Sequence, residues 1–247
     1  MKRKNMRRDG MKREEEKSNL ETWVPKTKLG KMVKNGEITN IEQIIDNNLI
    51  IKEQQITDML IPTLGVDLLE VGQAKGKFGG GQRRPFRVTQ KVTSDGKTPK
   101  FFCFAIVGNQ DGVIGYGKGF SKETVPARNK SIINAKKNLF KIKRGCGSWE
   151  CGCGKPHSIP FAVTGKCSSA IITLFPAPKG LGLCVNDECK KVLKMVGITD
   201  VWSKTEGQTR SRLNLIKACL IALKKLSKMH LNEKYADNVK IVEGGLK

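Results

Sequence analysis

An α+β fold made of two small domains is the architecture that the sequence predicts. Two β-then-α patterns follow each other along the chain, over residues 71–144 and 161–231. A short segment rich in cysteine and glycine, residues 145–160, separates them and has the composition of a hinge. A chain of 247 residues is long enough for two such domains with flanking segments.

Charge is the dominant feature of the composition. Forty-six Lys and Arg residues stand against 23 Asp and Glu residues, for a formal net charge of +23. An excess of this size opposes a compact state unless a polyanion neutralises it, so nucleic acid is the favoured partner and a merely solvated basic surface is the alternative. The basic residues form several separate groups, which favours a protein embedded in folded RNA and bound mainly through phosphates.

The cysteines are interpreted first as possible metal ligands. The N-terminus is basic but has no apolar segment behind it, so no secretory signal is expected. No apolar run reaches the roughly 18–20 residues that span a bilayer. A cytosolic or nuclear location is therefore expected, where disulfides are rare and clustered cysteines more often bind metal.

The first 70 residues predict a basic arm and a helical extension. Residues 1–19 carry eight basic and four acidic side chains and almost no apolar ones, which is typical of a disordered arm. Residues 20–70 open with Trp23, and three short apolar stripes at helical spacing follow it. The first of these helices is expected to end at Asn35-Gly36 and the third at Pro62.

Residues 71–144 predict an α+β domain. Strands are expected over 86–93, 101–108 and 113–118, with a turn at Ser94-Asp95-Gly96-Lys97 between the first two, because Asp-Gly is a strong hairpin signal. A helix over 124–140 follows, with Pro126 in its first turn. Three antiparallel strands with one helix across a face form a small layered domain.

Residues 161–231 repeat the pattern. Strands are expected over 159–164, 170–175 and 198–202, with a helix over 186–196 that ends at Gly197. A polar loop over 203–209 precedes a last helix over 210–230. The tail, residues 232–247, is charge-balanced and is expected to be loose.

The hinge contains a candidate metal site. Cys146, Cys151, Cys153 and His157 have the spacing C-x4-C-x-C-x3-H and supply four ligands of the types that zinc prefers. One structural Zn²⁺ is therefore predicted. Two alternatives stay open: reduced cysteines in a tight Gly-rich turn against RNA, and a catalytic or redox role.

Other chemistry finds little support in the sequence. The remaining cysteines lie in apolar patterns and are expected to be small core residues, namely Cys103, Cys167, Cys184, Cys189 and Cys219. His230 is expected at the surface, and no paired carboxylates suggest acid–base catalysis. The loop from Pro178 to Gly182 precedes a predicted helix and is a candidate phosphate cradle, for RNA or for a nucleotide.

The candidate RNA contacts are basic residues in loops, strand ends and helix ends. A Gly-rich backbone can approach a phosphate chain closely, and Arg can pair with phosphate in a bidentate manner. They are Lys75, Lys77, Arg83, Arg84, Arg87, Lys91, Lys97, Lys100, Lys118, Lys143, Arg144, Lys155, Lys179, Lys204, Arg210 and Arg212.

Several of these segments resemble one known family. The motif Arg144–Cys151 (RGCGSWEC) with Pro156-His157-Ser158, the loop Pro176–Gly182 (PAPKGLG) and Thr205–Arg210 are similar to the universal small-subunit ribosomal protein five family, numbered two in eukaryotes. The resemblance extends in unbroken order over about residues 22–230. The cysteine-rich motif resembles the archaeal branch; a divergent eukaryotic member is the alternative.

The resemblance implies a fold and a function. The first domain would be similar to a double-stranded-RNA-binding β3α fold, and the second to a left-handed βαβ fold that some kinases and gyrase-like enzymes share. The implied role is a structural, non-catalytic constituent of the small ribosomal subunit. It would bind ribosomal RNA, neighbouring ribosomal proteins and messenger RNA at the entry channel, with no membrane or small-molecule substrate, and would support translation accuracy. The implied location is the cytoplasmic ribosome, with nucleolar assembly if the host is eukaryotic.

Two other functions remain as alternatives. One is an enzyme of the related kinase-like fold that uses Lys179–Gly182 on a nucleotide. The other is a zinc-dependent nucleic-acid factor that works off the ribosome.

Overall fold

The computed structural model describes residues 23–74, 83–229, 232 and 239–243. It divides into two compact units, residues 1–63 and 64–247. The arm predicted over residues 1–19 lies outside the described residues, as do Lys75, Lys77 and His230. None of the described helices is both long and apolar enough to cross a membrane.

The first unit contains the three predicted helices: α1 (Lys28–Lys34), α2 (Ile41–Asp46) and α3 (Gln54–Leu60). Trp23 is buried, and its indole Nε1 donates to Oε2 of Glu53 at 2.9 Å. The other oxygen of Glu53 accepts from the backbone amides of Lys26 and Thr27. Burial raises the pKa of Glu53, but the hydrogen bonds from Thr27, Lys26 and Trp23 outweigh it and hold the pKa below its usual value.

The second unit begins with an antiparallel sheet. Its strands are β1 (Gly65–Leu68), β2 (Phe86–Thr93), β3 (Gly96–Gly108), β4 (Val113–Ser121) and β5 (Leu139–Lys141). β3 pairs with β2 along its first half and with β1 along its second half, while β4 pairs with β3 and β5. The three strands expected from sequence are confirmed.

Helix α4 (Thr124–Lys137) packs across this sheet. The sequence predicted a helix that reached Phe140, which is too long. The helix ends at Asn138, and Leu139 and Phe140 instead pair with Gly115 and Ile114 as strand β5. Strand β1 was not predicted, because Asp67 interrupts the apolar pattern of that short segment.

A second sheet has the strand order β7-β8-β10-β9. Its strands are β7 (Val163–Cys167), β8 (Ala170–Pro176), β9 (Leu183–Cys184) and β10 (Val201–Glu206). β9 and β10 are parallel and are joined by α5 (Asp187–Val196), which makes a βαβ unit. Helix α6 (Arg212–Lys228) packs on β7 and β8.

Both ends of helix α5 are as predicted, whereas strand β10 begins and ends later than predicted. Asn186 caps α5 and Gly197 ends it in the left-handed conformation, as predicted. The strand expected from Ile198 begins only at Val201, because Thr199 and Asp200 bond to His157 instead. The expected polar loop over 203–209 is shorter, because β10 continues to Glu206 along β8.

One hydrophobic core runs through both α+β halves of this unit. It joins side chains of β3, such as Phe104, with Leu174 of β8, Val192 of α5 and Leu220 of α6. Ile142 and Ile159, which flank the Cys/Gly-rich segment, are both fully buried in it. The predicted hinge is therefore packed at both ends.

Part of the C-terminal tail is ordered, contrary to the prediction of a loose tail. Strand β6 (Lys143–Arg144) pairs with β11 (Val242–Glu243). Val239 is buried, and its carbonyl accepts a hydrogen bond from the amide of Cys146 at 3.1 Å. This part of the tail therefore pairs with the strand that leads into the Cys/Gly-rich segment.

Candidate metal centre and nucleic-acid interface

The four residues of the predicted metal site lie together. One ligand atom from each of Cys146, Cys151, Cys153 and His157 lies within 4.8 Å of all the others. The sulfurs of Cys146 and Cys153 are 3.7 Å apart, as are the Cys151 sulfur and Nε2 of His157. Two thiolates on a tetrahedral zinc with bonds of about 2.3 Å lie about 3.8 Å apart, so this cluster could hold a structural zinc.

Backbone pairing closes the loop that carries these ligands. Gly145 and Ser158 exchange two hydrogen bonds of 3.0 Å, which brings the two ends of the segment together. A turn joins the Ser148 carbonyl to the Cys151 amide and presents Trp149, whose side chain is 90% exposed. A side chain at Gly147 would collide with the carbonyl of Pro160, so glycine is needed for this close approach.

A buried carboxylate orients the histidine. Nδ1 of His157 donates to Oδ2 of Asp200 at 2.9 Å, because a carboxylate can only accept. The lone pair of Nε2 then faces the three sulfurs, which is the arrangement common around metal-bound histidines. Burial raises the pKa of Asp200, but hydrogen bonds from Gly182, Thr199, His157 and Gly180 outweigh burial and lower it.

The thiols have different acidities. The nearby backbone amides of Lys179 and Cys153 lower the pKa of the Cys151 thiol to about 6. Burial and the neighbouring sulfurs raise the pKa of Cys146 to about 11. The low pKa of Cys151 favours the thiolate form that binds metal, whereas Cys146 would release its proton when a metal binds.

The loop Pro178–Gly182 is not a free phosphate cradle, contrary to that prediction. The amides of Gly180 and Gly182 donate to Oδ1 of Asp200 at 3.1 and 2.8 Å. An anion of the protein itself thus occupies the position that a phosphate would take. Sequence reasoning missed Asp200, because it lies 43 residues from His157 and no local motif marks it.

The other cysteines do not all lie in the core. Cys103, Cys189 and Cys219 are buried as predicted. Cys167 is half-buried, and Cys184 is exposed. The prediction for Cys184 is wrong, because the two-residue strand β9 lies at the edge of its sheet.

Most of the candidate RNA-contacting residues are exposed. The exposed ones are Arg84, Arg87, Lys91, Lys97, Lys100, Lys118, Lys155, Lys179, Lys204 and Arg210, and the half-buried ones are Arg83, Lys143 and Arg212. Arg144 differs from them, because it is only 4% exposed and its guanidinium donates to the carbonyl of Gln110. Its burial favours a role in packing.

The β2–β3 hairpin stands in solvent on both faces. β2 is exposed along nearly its whole length after Phe86, as is the start of β3. The hairpin carries the cations Arg87, Lys91, Lys97 and Lys100. It also exposes Val88 and Val92, the latter by 72%.

A basic cavity of about 700 Å³ lies on the C-terminal half of the second unit, and Arg83 lines it from the other half. Four cations line it: Arg83, Lys190, Arg210 and Arg212. Lys190 was not predicted as a contact, because its helical position resembles an ordinary surface lysine. Arg212 also contacts Glu188, which is 2% exposed and accepts from the amide of Glu70.

The second unit therefore consists of two basic α+β halves that share one hydrophobic core, with a Cys3His cluster in the segment that joins them. Two family models match: Ribosomal protein S5, N-terminal domain, over residues 85–143, and Ribosomal protein S5, C-terminal domain, over residues 165–236.

Archaeal relatives extend the match over most of the chain. "Small ribosomal subunit protein uS5" of Nanoarchaeum equitans is 46% identical over 213 residues, which is 86% of this chain and 91% of the relative. The same-named protein of Methanocaldococcus jannaschii is 46% identical over 226 residues, 92% of this chain and 97% of the relative. That of Staphylothermus marinus is 46% identical over 209 residues, 85% and 91%. The chain belongs to the ribosomal protein S5 family, in its archaeal branch.

Proposed function

We propose that this protein is a structural constituent of the small ribosomal subunit that binds ribosomal RNA. Family membership supports the proposal, and so does a formal charge of +23. The observation that carries it is the β2–β3 hairpin. A two-stranded hairpin with both faces in water is only marginally stable, so we expect a binding partner to cover and stabilise this one.

The chemistry of the hairpin favours RNA as the cover. Its cations would pair with phosphates, and exposed valines such as Val92 would pack on sugars or on a protein neighbour. The basic cavity next to Arg83 and Arg210 offers a second phosphate-sized surface in the same unit. The proposed contact set is the predicted set without Arg144.

A finer placement follows from the family resemblance. We place the hairpin toward the subunit neck, and the protein beside other ribosomal proteins at the messenger RNA entrance, where it supports decoding accuracy. The cytoplasmic ribosome is the location. The archaeal relatives favour a host without a nucleolus, so the nucleolar assembly step would apply only to a eukaryotic host.

A non-catalytic role is part of the proposal. The loop that would hold a nucleotide has two amides committed to Asp200. Both oxygens of that carboxylate accept hydrogen bonds from within the protein, so it is poorly placed as a catalytic base. The Cys3His cluster is proposed to hold one structural Zn²⁺, which would supply no chemistry beyond cross-linking the chain.

Co-sedimentation with small subunits in moderate salt tests the ribosomal function. We expect most of the protein to sediment with the subunit. Alanine at Arg87, Lys91, Lys97 and Lys100 should move it to the soluble fraction, because four phosphate contacts are lost.

A matched variant removes four positive charges elsewhere: exposed Lys28, Lys31, Lys122 and Lys130, each to alanine. It should sediment nearly as the unmodified protein does. A soluble pool with none on subunits would refute the function, and equal loss from both variants would refute the specific role of the hairpin.

A further inference from the structure

The loop Pro178–Gly182 is hydrogen-bonded to the carboxylate that orients the histidine of the Cys/His cluster. The amides of Gly180 and Gly182 donate to Oδ1 of Asp200. Both glycines have positive φ, +94° and +81°, which lets the two amides point to the same oxygen.

Asp200 joins this loop to the cluster. Its Oδ2 accepts from Nδ1 of His157 at 2.9 Å and from the hydroxyl of Thr199 at 2.7 Å. Its Oδ1 accepts from the two glycine amides. The residue is 3% exposed, so little solvent can replace these partners. One buried carboxylate therefore holds a candidate metal ligand with one oxygen and the loop with the other.

Further bonds tie the same elements together. The hydroxyl of Ser158 donates to the carbonyl of Asp200 at 2.6 Å and accepts from the amide of Ala177 at 3.2 Å. The carbonyl of His157 accepts from the amides of Thr199 and Asp200. The segment before the loop and the segment after it are thus both bonded to residues at or next to the ligand His157.

We propose that metal binding at the Cys/His cluster fixes the conformation of the Pro178–Gly182 loop, and that Asp200 is the positioning residue that transmits this order. The metal would hold the His157 ring, and through it the Asp200 carboxylate on which the amides of Gly180 and Gly182 depend. A loop with two glycines has little order of its own, so it takes its order from this carboxylate.

The proposal gives the loop a role as a metal-dependent contact surface. With the amides turned inward, the exposed side chains of Lys179 and Leu181 form its outer face. A fixed lysine meets a phosphate at a lower entropic cost than a mobile one. This last step, that the outer face meets RNA, rests on the proposed function, whereas the coupling of metal to loop does not.

Amide hydrogen exchange of the free, full-length protein tests the coupling. We expect zinc chloride to slow exchange at Gly180 and Gly182 by at least about tenfold relative to chelator-treated protein, which would be about 1.4 kcal/mol. Amides in the centre of α6, such as those of Leu220 and Leu223, should exchange equally in both samples. Equal exchange at the loop in both samples would overturn the proposal. Loss of protection throughout α6 would also overturn it, because the metal would then support the whole unit.

Two substitutions separate positioning from general support. Asp200→Asn keeps an oxygen for the glycine amides but presents an NH2 group to His157, so it should reduce zinc affinity about 10–100-fold while retaining partial loop protection. Asp200→Ala should remove both properties. Asp187→Asn alters an exposed carboxylate at the start of α5 and serves as the control, with zinc affinity unchanged. Zinc affinity of Asp200→Asn within twofold of the unmodified protein would contradict the role of Asp200.

A separate measurement addresses the RNA step. Lys179→Ala should weaken binding to small-subunit ribosomal RNA in zinc-loaded protein, and should have less effect in chelated protein. If zinc orders the loop but Lys179→Ala changes binding in neither state, the coupling stands and the RNA contact of this loop is refuted.

Discussion

At the scale of single residues, the candidate metal site depends on two separate things: the types of its ligand residues and the backbone pairing that brings them together. Three cysteines and one histidine give the ligand types, and the Gly145–Ser158 pairing brings them within 4.8 Å. Asp200 then decides which nitrogen of His157 faces the sulfurs. The same carboxylate accepts hydrogen bonds from the loop amides of Gly180 and Gly182, which would otherwise be free to bind a phosphate.

Zinc content is the prediction that belongs to this scale. Purified protein should carry about one zinc per chain, since four converging ligands match a structural site. Cys151→Ser should abolish stable binding, because it removes one of the four converging ligands. Elemental analysis measures both.

Cys184→Ser is the matched control, because Cys184 is a free, exposed cysteine outside the cluster. Its zinc content should equal that of the unmodified protein. Purified, unmodified protein without zinc would contradict the site.

At the scale of elements, glycines decide how closely helices approach the sheets. A Cβ atom at Gly117 of β4 would lie 2.2 Å from the backbone nitrogen of Ala135 in α4. A Cβ atom at Gly165 of β7 would lie 2.0 Å from the carbonyl oxygen of Ala218 in α6. Both helices therefore pack backbone against backbone at these points, which a larger residue forbids.

Gly117→Ala should accordingly destabilise the second unit. Overpacking of a tight contact costs about 1–3 kcal/mol, because the helix must move away from the strand. Chemical denaturation with a probe of the second unit measures the loss. The neighbouring Lys118→Ala is the control, since its side chain is exposed, and it should change the free energy of unfolding by less than about 0.5 kcal/mol. Equal stability of Gly117→Ala and the unmodified protein would contradict the close contact.

At the scale of the whole molecule, the positions of the exposed cations determine how the protein is expected to bind RNA. Cations of the second unit lie on the hairpin and around the cavity, so binding through phosphates at more than one face is the expected mode. The shared core joins the two halves of the second unit, so these faces keep fixed positions relative to one another.

The salt dependence of RNA binding follows from this charge distribution. If about six phosphates are neutralised, affinity for small-subunit ribosomal RNA should fall on the order of 10³-fold between about 50 and 200 mM salt. A filter-binding or fluorescence titration at several salt concentrations gives the slope. The four-alanine hairpin variant should have a shallower slope, by up to about three to four units. Binding that does not change with salt would rule out a phosphate-driven mode.

Local patterns were sufficient for much of the fold. The Ser94-Asp95 turn before Gly96, the apolar run at 101–108 and Gly197 after α5 carry their own conformational signals. Hairpin, central strand and helix end were therefore predicted from sequence, although the turn lies one residue earlier than expected. The four metal ligands could be predicted too, because all lie within one short segment.

Only the tertiary structure decided what depends on distant partners. Leu139 and Phe140 continue a helical pattern in sequence, but strand pairing with β4 converts them to β5. Arg144 and Cys184 match their chemical patterns, yet burial of one and exposure of the other follow from neighbours across the fold. The Asp200–His157 bond spans 43 residues. The sequence by itself determined charge, ligand types and local turns, because these need only near neighbours; the oriented site and the bound loop required the chain to return on itself.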